Sequence, residues 1–330
     1  MQLLRKIAFP ISLVYALVVH LRNYLYDKGI FASKSFKTPT ICVGNLSVGG
    51  TGKTPMIEFL VSELRDVYKI AVLSRGYGRR SKGFVWATVG IKVEELGDEP
   101  FQIRAKFPEI TVAVDADRSN GISILEDRIC PDIILLDDAY QHRKVKPSFS
   151  ILLTAYDNLY SDDWYLPTGN LRDSRGQAKR ADLIVVTKCP PDISDSEQVK
   201  IVKGLKPANH QQVLFSSLVY DQSLKGSDTP MSLEDLKEKE VTLVTGIARP
   251  KPLVSFLEKE GISFIHSSFM DHHFFTDKEI QFFNTKALVL TTEKDFVRLK
   301  GKVKHLYYIP VEHRFLLDGK EILRKKIKSL

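Results

Sequence analysis

The stretch Ser47-Val48-Gly49-Gly50-Thr51-Gly52-Lys53-Thr54 decides how this chain is expected to fold. It follows a short apolar run at residues 40–44 and precedes a helical pattern through Leu60 and Leu64. A strand, a glycine-rich loop and a helix in this order are the context of a phosphate-binding loop, where backbone N–H groups and the helix N-terminus surround phosphate oxygens. We therefore predict that all eight residues form a nucleotide site.

Two side chains at the end of this loop have predicted roles of their own. Lys53 would reach the β- and γ-phosphates and take part in catalysis, and the Thr54 hydroxyl would hold Mg²⁺. One position departs from the strict GxxxxGK[ST] pattern, because Ser47 stands where that pattern has glycine. Gly49-Gly50 instead bring the stretch close to the Gly-Gly-x-Gly-Lys-Thr variant of the loop.

Short apolar runs alternate with helical stretches along the rest of the chain, which is typical of a parallel sheet covered on both faces. We expect an α/β protein with a P-loop NTPase-like, doubly wound parallel sheet domain at 39–220. A second, smaller α/β domain at 221–330 would close over the nucleotide site, and 1–38 would form a helix and linker. The predicted strands are residues 40–44, 70–74, 111–114, 133–137, 150–153, 183–187, 241–245, 263–265 and 287–291.

The basic charge is concentrated at the two ends of the chain. Of the net charge of +8, residues 1–38 carry +5 and residues 320–330 carry +4, which leaves −1 for residues 39–319. A nucleic-acid binder usually spreads basic residues along one face among aromatic residues, so we expect no nucleic-acid partner. The apolar fraction of 43% excludes disordered and fibrous classes. Three widely separated cysteines without metal-ligand spacing indicate reduced thiols in the cytosol.

An uncharged, mainly apolar run occupies residues 7–21, between Lys6 and Arg22. It is short for a membrane-spanning helix, which needs about 20 apolar residues, and no small-residue cleavage site follows as a signal peptide would require. We predict that residues 1–28 form a helix lying in the interface of an anionic membrane. The alternative is an ordinary helix packed on the protein's own core.

Two adjacent carboxylates, Asp137 and Asp138, end the apolar run at residues 133–136. P-loop proteins place a Mg²⁺-organising aspartate at the end of a strand beside the loop. We therefore predict both residues as metal ligands, with Asp138 also taking part in catalysis. Gln141 and His142 follow at once and are predicted to face the phosphates.

Three further clusters contain groups suited to chemistry, with weaker support. Gly97-Asp98-Glu99-Pro100 place two carboxylates on a turn, where solvated charge or helix capping is the usual role. Residues 74–79 include Arg75 and Tyr77 in a glycine-rich segment that would suit a charged substrate. Asp271-His272-His273 lack the third spaced ligand that would make a metal site convincing.

Taken together and in this order, these clusters resemble the tetraacyldisaccharide 4′-kinase (lipid A 4′-kinase) family. The resemblance runs from residue 43 to residue 295, so it covers both predicted domains. Eight ordered blocks are far more specific than a phosphate loop alone. The blocks are 43–55, Ser74-Arg75-Gly76-Tyr77-Gly78, Gly97-Asp98-Glu99-Pro100, 137–142, Gly169-Asn170-Leu171-Arg172-Asp173, 245–250, Asp271-His272-His273 and Thr292-Glu293-Lys294-Asp295.

The resemblance implies ATP-dependent phosphorylation of the 4′-hydroxyl of a tetraacylated glucosamine disaccharide 1-phosphate, with Mg²⁺, at the cytoplasmic face of the bacterial inner membrane. It implies that Asp98 is the catalytic carboxylate and that His272 supports it from the facing domain. The family often carries Glu where this chain has Asp173. The implied substrate-binding residues are Arg75, Tyr77, Glu99, Gln141, His142, Asn170 and Asp173.

Two other classes of function stay open from the residues alone. A membrane-associated ATPase or GTPase switch would use the same variant loop and act through a protein partner. That class often carries an additional lysine early in the loop, where this chain has Val48. A non-catalytic membrane protein with a vestigial loop is disfavoured, because Lys53 and Thr54 are intact.

Overall fold

The computed structural model of the chain describes residue 5, residues 7–227 and residues 229–330. The remaining part of the predicted N-terminal helix, residues 1–4 and 6, lies outside the described residues. In chain order the strands are β1 (Thr40–Asn45), β2 (Ile70–Ser74), β3 (Val85–Trp86), β4 (Thr111–Val114), β5 (Ile133–Asp137), β6 (Phe149–Ala155), β7 (Leu183–Thr187), β8 (Gln212–Tyr220), β9 (Ser223–Gly226), β10 (Met231–Ser232), β11 (Val241–Thr245), β12 (Phe264–Ser268), β13 (Leu288–Thr292), β14 (Leu306–Ile309) and β15 (Val311–Phe315).

Helices alternate with these strands. They are α1 (Phe9–Asp27), α2 (Lys53–Leu64), α3 (Val93–Leu96), α4 (Asp98–Lys106), α5 (Arg118–Arg128), α6 (Asp195–Leu205), α7 (Lys251–Lys259), α8 (Asp277–Phe283), α9 (Glu293–Leu299) and α10 (Gly319–Lys328). Short 3₁₀ segments lie at Arg175–Arg180 and Glu234–Leu236.

The first sheet has the strand order β15-β8-β7-β6-β1-β5-β2-β4-β3 in the described chain. The seven inner strands are parallel, whereas β15 and β3 pair antiparallel at the two edges. The central strands are buried along their whole length, which explains why they read as continuous apolar runs. Two hydrophobic cores lie on opposite faces of this sheet, one containing α2 and α4 residues and the other α5 and α6 residues.

The second sheet has the order β10-β9-β14-β13-β11-β12 in the described chain. The four strands from β14 to β12 are parallel, and β9 and β10 add an antiparallel edge. The prediction of an α/β protein is confirmed, and the structure has two mixed, mostly parallel sheets. The polar stretch Ser223–Gly226 is part of this sheet as strand β9.

The chain crosses between the two sheets twice, and the crossings lie side by side. The Asp221 N–H donates to the Pro310 carbonyl oxygen at 3.0 Å. After Pro310 the chain returns to the first sheet, where β15 pairs with β8. The return segment, residues 311–328, thus differs from the predicted division, which placed all of 221–330 in the second unit. The physical reason is that α10 buries Leu323 and Ile327 in the first core.

The basic C-terminal helix is held by the helix that follows the phosphate loop. Glu63 of α2 pairs with Lys320 at 3.0 Å and with Arg324. Phe59 of α2 also packs on Phe315, with ring centroids 5.0 Å apart. Part of the C-terminal positive charge therefore serves an internal contact.

Helix α1 turns its polar side inward and its apolar side outward. The residues it buries are Ser12, Val19 and Asn23. Ser12 Oγ donates to Thr168 Oγ1 at 2.8 Å, and Asn23 Nδ2 donates to Asp173 Oδ1 at 2.7 Å. In the part of the chain that the structure describes, no helix combines the length and hydropathy needed to span a membrane. The exposed apolar residues here are Ile7, Phe9, Ile11, Leu13, Val14, Leu17, Val18 and Leu21.

The return segment yields a test of stability. We expect Leu323→Ala to lower the free energy of unfolding by about 2–4 kcal/mol, because Leu323 is only 1% exposed and its truncation leaves a cavity in the core. Lys325→Ala, on the exposed side of the same helix, is the control and should change it by less than about 0.5 kcal/mol. Urea titration of both variants measures the difference. Equal stabilities would contradict the packing of α10 on the first core.

Candidate active site

The predicted phosphate loop lies at the carboxyl end of β1 and is braced from three directions. The Val48 N–H donates to the Asn170 carbonyl oxygen at 2.7 Å. Asn45 Nδ2 donates to Thr51 Oγ1 at 2.9 Å, and Thr187 Oγ1 donates to the Thr51 carbonyl oxygen at 2.8 Å. Parallel strands place their carboxyl ends at one edge, where α/β proteins bind ligands. The loop is therefore held ready at the edge where a ligand is expected.

The glycines of this loop are required by its backbone. Gly49 and Gly52 have φ angles of 110° and 84°, in the region that other residues rarely adopt. Gly52 precedes Lys53, the first residue of α2, so the free N–H groups of the first helical turn face the loop. Ser47, which stands where the usual glycine would be, is buried two residues after the end of β1.

The two predicted metal ligands have different surroundings. Asp137 is buried at the end of β5 and accepts a hydrogen bond from Ser74 Oγ at 3.0 Å. Burial, with Asp138 and Glu99 nearby, raises the pKa of Asp137 to about 6. Burial alone would raise the pKa of Asp138, but Lys53, 3.8 Å away, and Arg172 hold it below its usual value. The pair thus combines one strongly ion-paired carboxylate with one that lacks a cation in contact among the described residues.

Basic groups surround this acidic pair. Arg118 is 2% exposed and donates to the Asp115 carbonyl oxygen at 2.5 Å and to the Asp137 carbonyl oxygen at 3.3 Å. Burial, together with Arg118 and Arg75, lowers the pKa of His142 to about 4. His142 is therefore neutral near pH 7. Arg75 itself is exposed, as a group that meets a charged ligand must be.

The two units meet at a buried carboxylate. Asp98, the first residue of α4, is held by Arg298 of α9, which donates from Nε to Oδ1 at 2.8 Å and from a terminal nitrogen to Oδ2. His272 Nδ1 lies 2.8 Å from the same Oδ2. The structure therefore brings the predicted pair, Asp98 and His272, together across the interface. Asp98 lies on a helix N-terminus, which also favours a carboxylate.

The neighbours of His272 settle which of its nitrogens carries the proton. Lys294 Nζ lies 3.1 Å from His272 Nε2 and 3.1 Å from Asp271 Oδ1. Because a lysine ammonium only donates, Nε2 accepts and Nδ1 donates to Asp98. The exposed ring of Tyr77 lies 5.7 Å from the imidazole ring and forms one wall beside it.

A second ionic contact joins the same two units. Lys106, at the end of α4, pairs with Glu58 of α2 at 2.7 Å and with Glu293 of α9 at 3.1 Å. Burial raises the pKa of both carboxylates. The contact connects the helix after the phosphate loop, the helix that begins at Asp98 and the helix that carries Lys294 and Arg298.

The remaining predicted substrate residues occupy two different positions. Gln141 donates from Nε2 to the Asn45 carbonyl oxygen at 2.8 Å, and Asn170 supports the loop through its carbonyl. Asp173 is fully buried under α1, where it accepts from Asn23. The structure therefore places Asp173 as an anchor of α1 rather than on an open surface.

Sequence reasoning did not assign site roles to three residues that the structure brings into these contacts. Arg172 donates to both Asp138 oxygens and to Asn45 Oδ1. Lys294 and Arg298 hold His272 and Asp98 from the second unit. Arg172 belongs to the Gly169–Asp173 block and Lys294 to the Thr292–Asp295 block, so the sequence blocks could have indicated both residues. Arg298 lies outside every block, and only the helical spacing from Lys294 places it on the same side of α9.

Mg²⁺ binds oxygen atoms, so a site for it needs oxygen donors at the carboxyl ends of the parallel strands. In the described chain, no group of three or more His, Cys, Asp or Glu side chains is arranged to hold a metal ion. Mg²⁺ bound with a nucleotide usually takes one or two carboxylates in addition to phosphate oxygens and water. Thr54, Asp137 and Asp138 are such a donor set, and a cation there would offset the burial and the neighbouring carboxylates that raise the Asp137 pKa.

Comparison with known proteins shows full-length similarities. Residues 4–329 match the family model described as Tetraacyldisaccharide-1-P 4′-kinase. A Tetraacyldisaccharide 4′-kinase of Flavobacterium johnsoniae is 50% identical over 322 residues, covering 96% of this chain and 94% of that protein. That of Flavobacterium psychrophilum is 46% identical over 335 residues, covering 99% and 97%. A crystal structure of an "apo" form of LpxK from Aquifex aeolicus in complex with ATP is similar with a TM-score of 0.83 and 30% identity, covering 99% of both chains.

The buried pair at the interface yields a test that needs no substrate. We expect Arg298→Met to lower the free energy of unfolding by about 3–5 kcal/mol, because it leaves the Asp98 carboxylate, 7% exposed, without its partner. Arg249→Met is the matched control. It breaks an interface pair with Asp157 whose side chains are 57% and 58% exposed, so it should cost less than about 1 kcal/mol.

Urea titration of the two arginine variants measures both losses. The double variant Asp98→Asn with Arg298→Met removes the uncompensated charge and should recover part of the loss. A double variant no more stable than Arg298→Met would contradict the assignment of the loss to a charge pair.

Proposed function

The chain belongs to the tetraacyldisaccharide-1-P 4′-kinase family, and from this premise we propose that it transfers the γ-phosphoryl group of ATP to the 4′-hydroxyl of a tetraacylated glucosamine disaccharide 1-phosphate. The family predicted from eight sequence blocks is confirmed, as is the assignment as a kinase of lipid A biosynthesis. The observation that carries the proposal is this full-length match, combined with a phosphate loop and the Asp98–His272 contact at one edge of the molecule. The switch and scaffold alternatives have no comparable support.

ATP is the phosphoryl donor, and the loop at 47–54 is the place for its phosphates. Backbone N–H groups at the start of α2 and the Lys53 ammonium would neutralise the β- and γ-phosphates. Asp138 lies 3.8 Å from Lys53, so it keeps this side chain directed toward the edge of the sheet. Lys188 follows β7 and approaches the loop at Gly50, adding a further positive charge.

Mg²⁺ would be held by the Thr54 hydroxyl and the carboxylates of Asp137 and Asp138. When bound, it would neutralise charge on the nucleotide phosphates. Arg172 holds the Asp138 carboxylate and Ser74 holds Asp137, so both groups are fixed at the carboxyl ends of the strands. Positioning of this kind is the main contribution that a protein makes to phosphoryl transfer.

Asp98 is the proposed acceptor of the proton from the attacking 4′-hydroxyl. Its Oδ1 accepts one hydrogen bond, from Arg298 Nε, among the described residues, and a carboxylate oxygen can accept two. One acceptor direction is therefore left for the substrate. His272 orients Oδ2 through its Nδ1 proton, while Lys294 keeps the imidazole in that tautomer.

The acceptor sugar and its 1-phosphate would lie between the two units. Arg75 and Tyr77 are exposed there, and the Tyr77 ring is beside His272. Glu99 and neutral His142 provide polar groups near the Asp137–Asp138 pair. Gln141 and Asn170 lie beside the loop, where they contact Asn45 and Val48. These residues are proposed to bind the substrate, whereas Asp173 is proposed to act indirectly, by anchoring α1.

We propose that α1 holds the kinase on the cytoplasmic face of the inner membrane. Its buried side is fastened by Ser12 and Asn23, so the outward apolar side has no role in the protein's own core. Exposed apolar side chains lie next to the basic residues of the N-terminal segment, which would meet anionic headgroups. The acyl chains of the acceptor lie in the same membrane, so this position brings the enzyme to its substrate.

The catalytic assignment is tested with labelled ATP and detergent-solubilised disaccharide 1-phosphate lipid. We expect Asp98→Asn and His272→Ala to lower kcat by about 10²–10⁴-fold, because the proton acceptor is lost or misoriented. Binding of ATP, measured by calorimetry, should change by less than about threefold. His273→Gln is the matched control, because its side chain pairs with Glu279 and not with Asp98.

Lys53→Met should abolish measurable ATP binding, since it removes the cation aimed at the phosphates. Labelled phosphate released without labelled lipid would favour the switch alternative. Full turnover in Asp98→Asn would remove this residue from the mechanism.

The membrane assignment is tested by flotation with anionic phospholipid vesicles. We expect Val14→Glu with Leu17→Glu to reduce the bound fraction at least tenfold, because these side chains are 63% and 68% exposed on α1. Val89→Glu, at a loop position that is 97% exposed, is the control and should bind as wild type. Doubling the salt concentration should weaken binding without abolishing it. Binding that is wholly insensitive to salt would contradict a role for the basic charge.

A further inference from the structure

A buried histidine of the return segment contacts the phosphate loop. His313 lies on β15, only three residues after the chain leaves the second unit at Pro310. Its Nε2 is 2.9 Å from the Gly52 carbonyl oxygen, and its Nδ1 is 3.0 Å from Ser216 Oγ on β8. The side chain is 5% exposed, so solvent does not compete for either contact. None of the sequence blocks contains this residue.

The two contacts define the state of the imidazole. A carbonyl oxygen only accepts, so Nε2 carries the proton that is donated to Gly52. Nδ1 then accepts from the Ser216 hydroxyl in the neutral ring. Burial lowers the pKa of His313 to about 4, and Lys188 acts in the same direction, so the ring stays neutral near pH 7. The contact is therefore a permanent one in the physiological range and not a pH switch.

The acceptor of this hydrogen bond, the Gly52 carbonyl oxygen, belongs to the peptide group that precedes α2. The Gly52 carbonyl and the Lys53 N–H belong to one planar trans peptide group, so they point in opposite directions. A bond that draws the carbonyl toward β15 directs the Lys53 N–H away from β15, into the loop. The Gly52 carbonyl also accepts from the Met56 N–H at 3.0 Å, within the first turn of α2. His313 and the Met56 N–H thus together fix the plane of the peptide that starts the helix.

The space around Gly52 confirms how closely the two segments fit. A β-carbon built on Gly52 would lie 3.0 Å from His313 Nε2 and 3.2 Å from its Cε1. Glycine is needed here for its φ of 84° and also for this approach. The loop therefore has the backbone freedom that lets the peptide rotate, and the histidine restricts that freedom.

We propose that His313 is a positioning residue of the ATP site, which holds the Gly52–Lys53 peptide so that its N–H group faces the nucleotide phosphates. The inference rests on the proposed use of loop 47–54 for ATP. It assigns to the return segment a part in nucleotide binding, although this segment lies far from the loop in sequence. Wild-type affinity is then expected to depend on one hydrogen bond supplied from residue 313.

Three variants separate this hydrogen bond from packing. The amide nitrogen of His313→Gln can occupy the place of Nε2, that of His313→Asn is too short to reach Gly52, and His313→Met keeps the volume without a donor. We expect His313→Met and His313→Asn to weaken ATP binding about tenfold by calorimetry, equivalent to about 1.4 kcal/mol. His313→Gln should stay within about threefold of wild type. The KM for the acceptor lipid should change by less than twofold in all three.

Two controls distinguish a loss of ATP binding from a loss of folding. His210→Gln alters an exposed histidine just before β8. It lies at the amino ends of the parallel strands, opposite to the loop, so the variant should bind ATP as wild type. Thermal unfolding without nucleotide identifies a variant that is merely destabilised. If His313→Met does not fold, the comparison of Gln with Asn, which have the same polar group, supplies the result.

Each result supports or contradicts the role of His313 in ATP binding. Weak binding in Asn and Met with recovery in Gln supports the proposal. Unchanged ATP binding in Asn, or equal losses in Gln and Asn, overturns it while leaving the proposed function intact. A parallel rise in the acceptor KM also overturns it, because the effect would not be confined to the nucleotide. A wild-type protein that binds no ATP would overturn the proposed function together with this inference.

Discussion

The buried contact of Asp98 with Arg298 is the constraint on which the arrangement of the site depends. A carboxylate that is 7% exposed is costly unless it is paired and hydrogen-bonded, and its partner here comes from the other unit. The pair therefore holds α4 of the first unit against α9 of the second. His272 of the second unit contacts the same carboxylate, with its Nδ1 2.8 Å from Oδ2.

The phosphate loop shows a similar dependence on distant parts of the chain. Its backbone carbonyls accept hydrogen bonds from the end of β7 and from the return segment, and its Val48 N–H donates to the Asn170 carbonyl oxygen. Helix α2 starts at the loop, and its Glu63, near the other end, pairs with the C-terminal helix. The helix that follows the loop is therefore held at both of its ends. In the described chain, the proposed nucleotide site thus joins segments that are more than two hundred residues apart.

Helix α1 connects the proposed membrane surface directly to the site. Tyr15 donates its hydroxyl proton to the Arg172 carbonyl oxygen at 3.1 Å, and Arg22 donates to the Gln141 carbonyl oxygen. Arg172 in turn holds Asp138 through its guanidinium. A helix placed in the membrane interface would therefore lie one residue away from groups that surround the phosphates. This short distance suits an acceptor whose acyl chains stay in lipid while its sugar reacts.

The sequence by itself determined the α/β class of the fold and the family, and it predicted the phosphate loop. The strands at residues 70–74, 133–137 and 241–245 have the predicted bounds, because a strand buried on both faces must be apolar throughout. Strand β15 and the pairing of Asp98 with Arg298 were decided by the tertiary structure alone. The sequence of β15 has three polar residues in a row, Glu312, His313 and Arg314, so it does not resemble the buried apolar strands and says nothing of the sheet that it joins. Local pattern determines which face of a segment is buried, whereas its partner depends on where the chain returns in space.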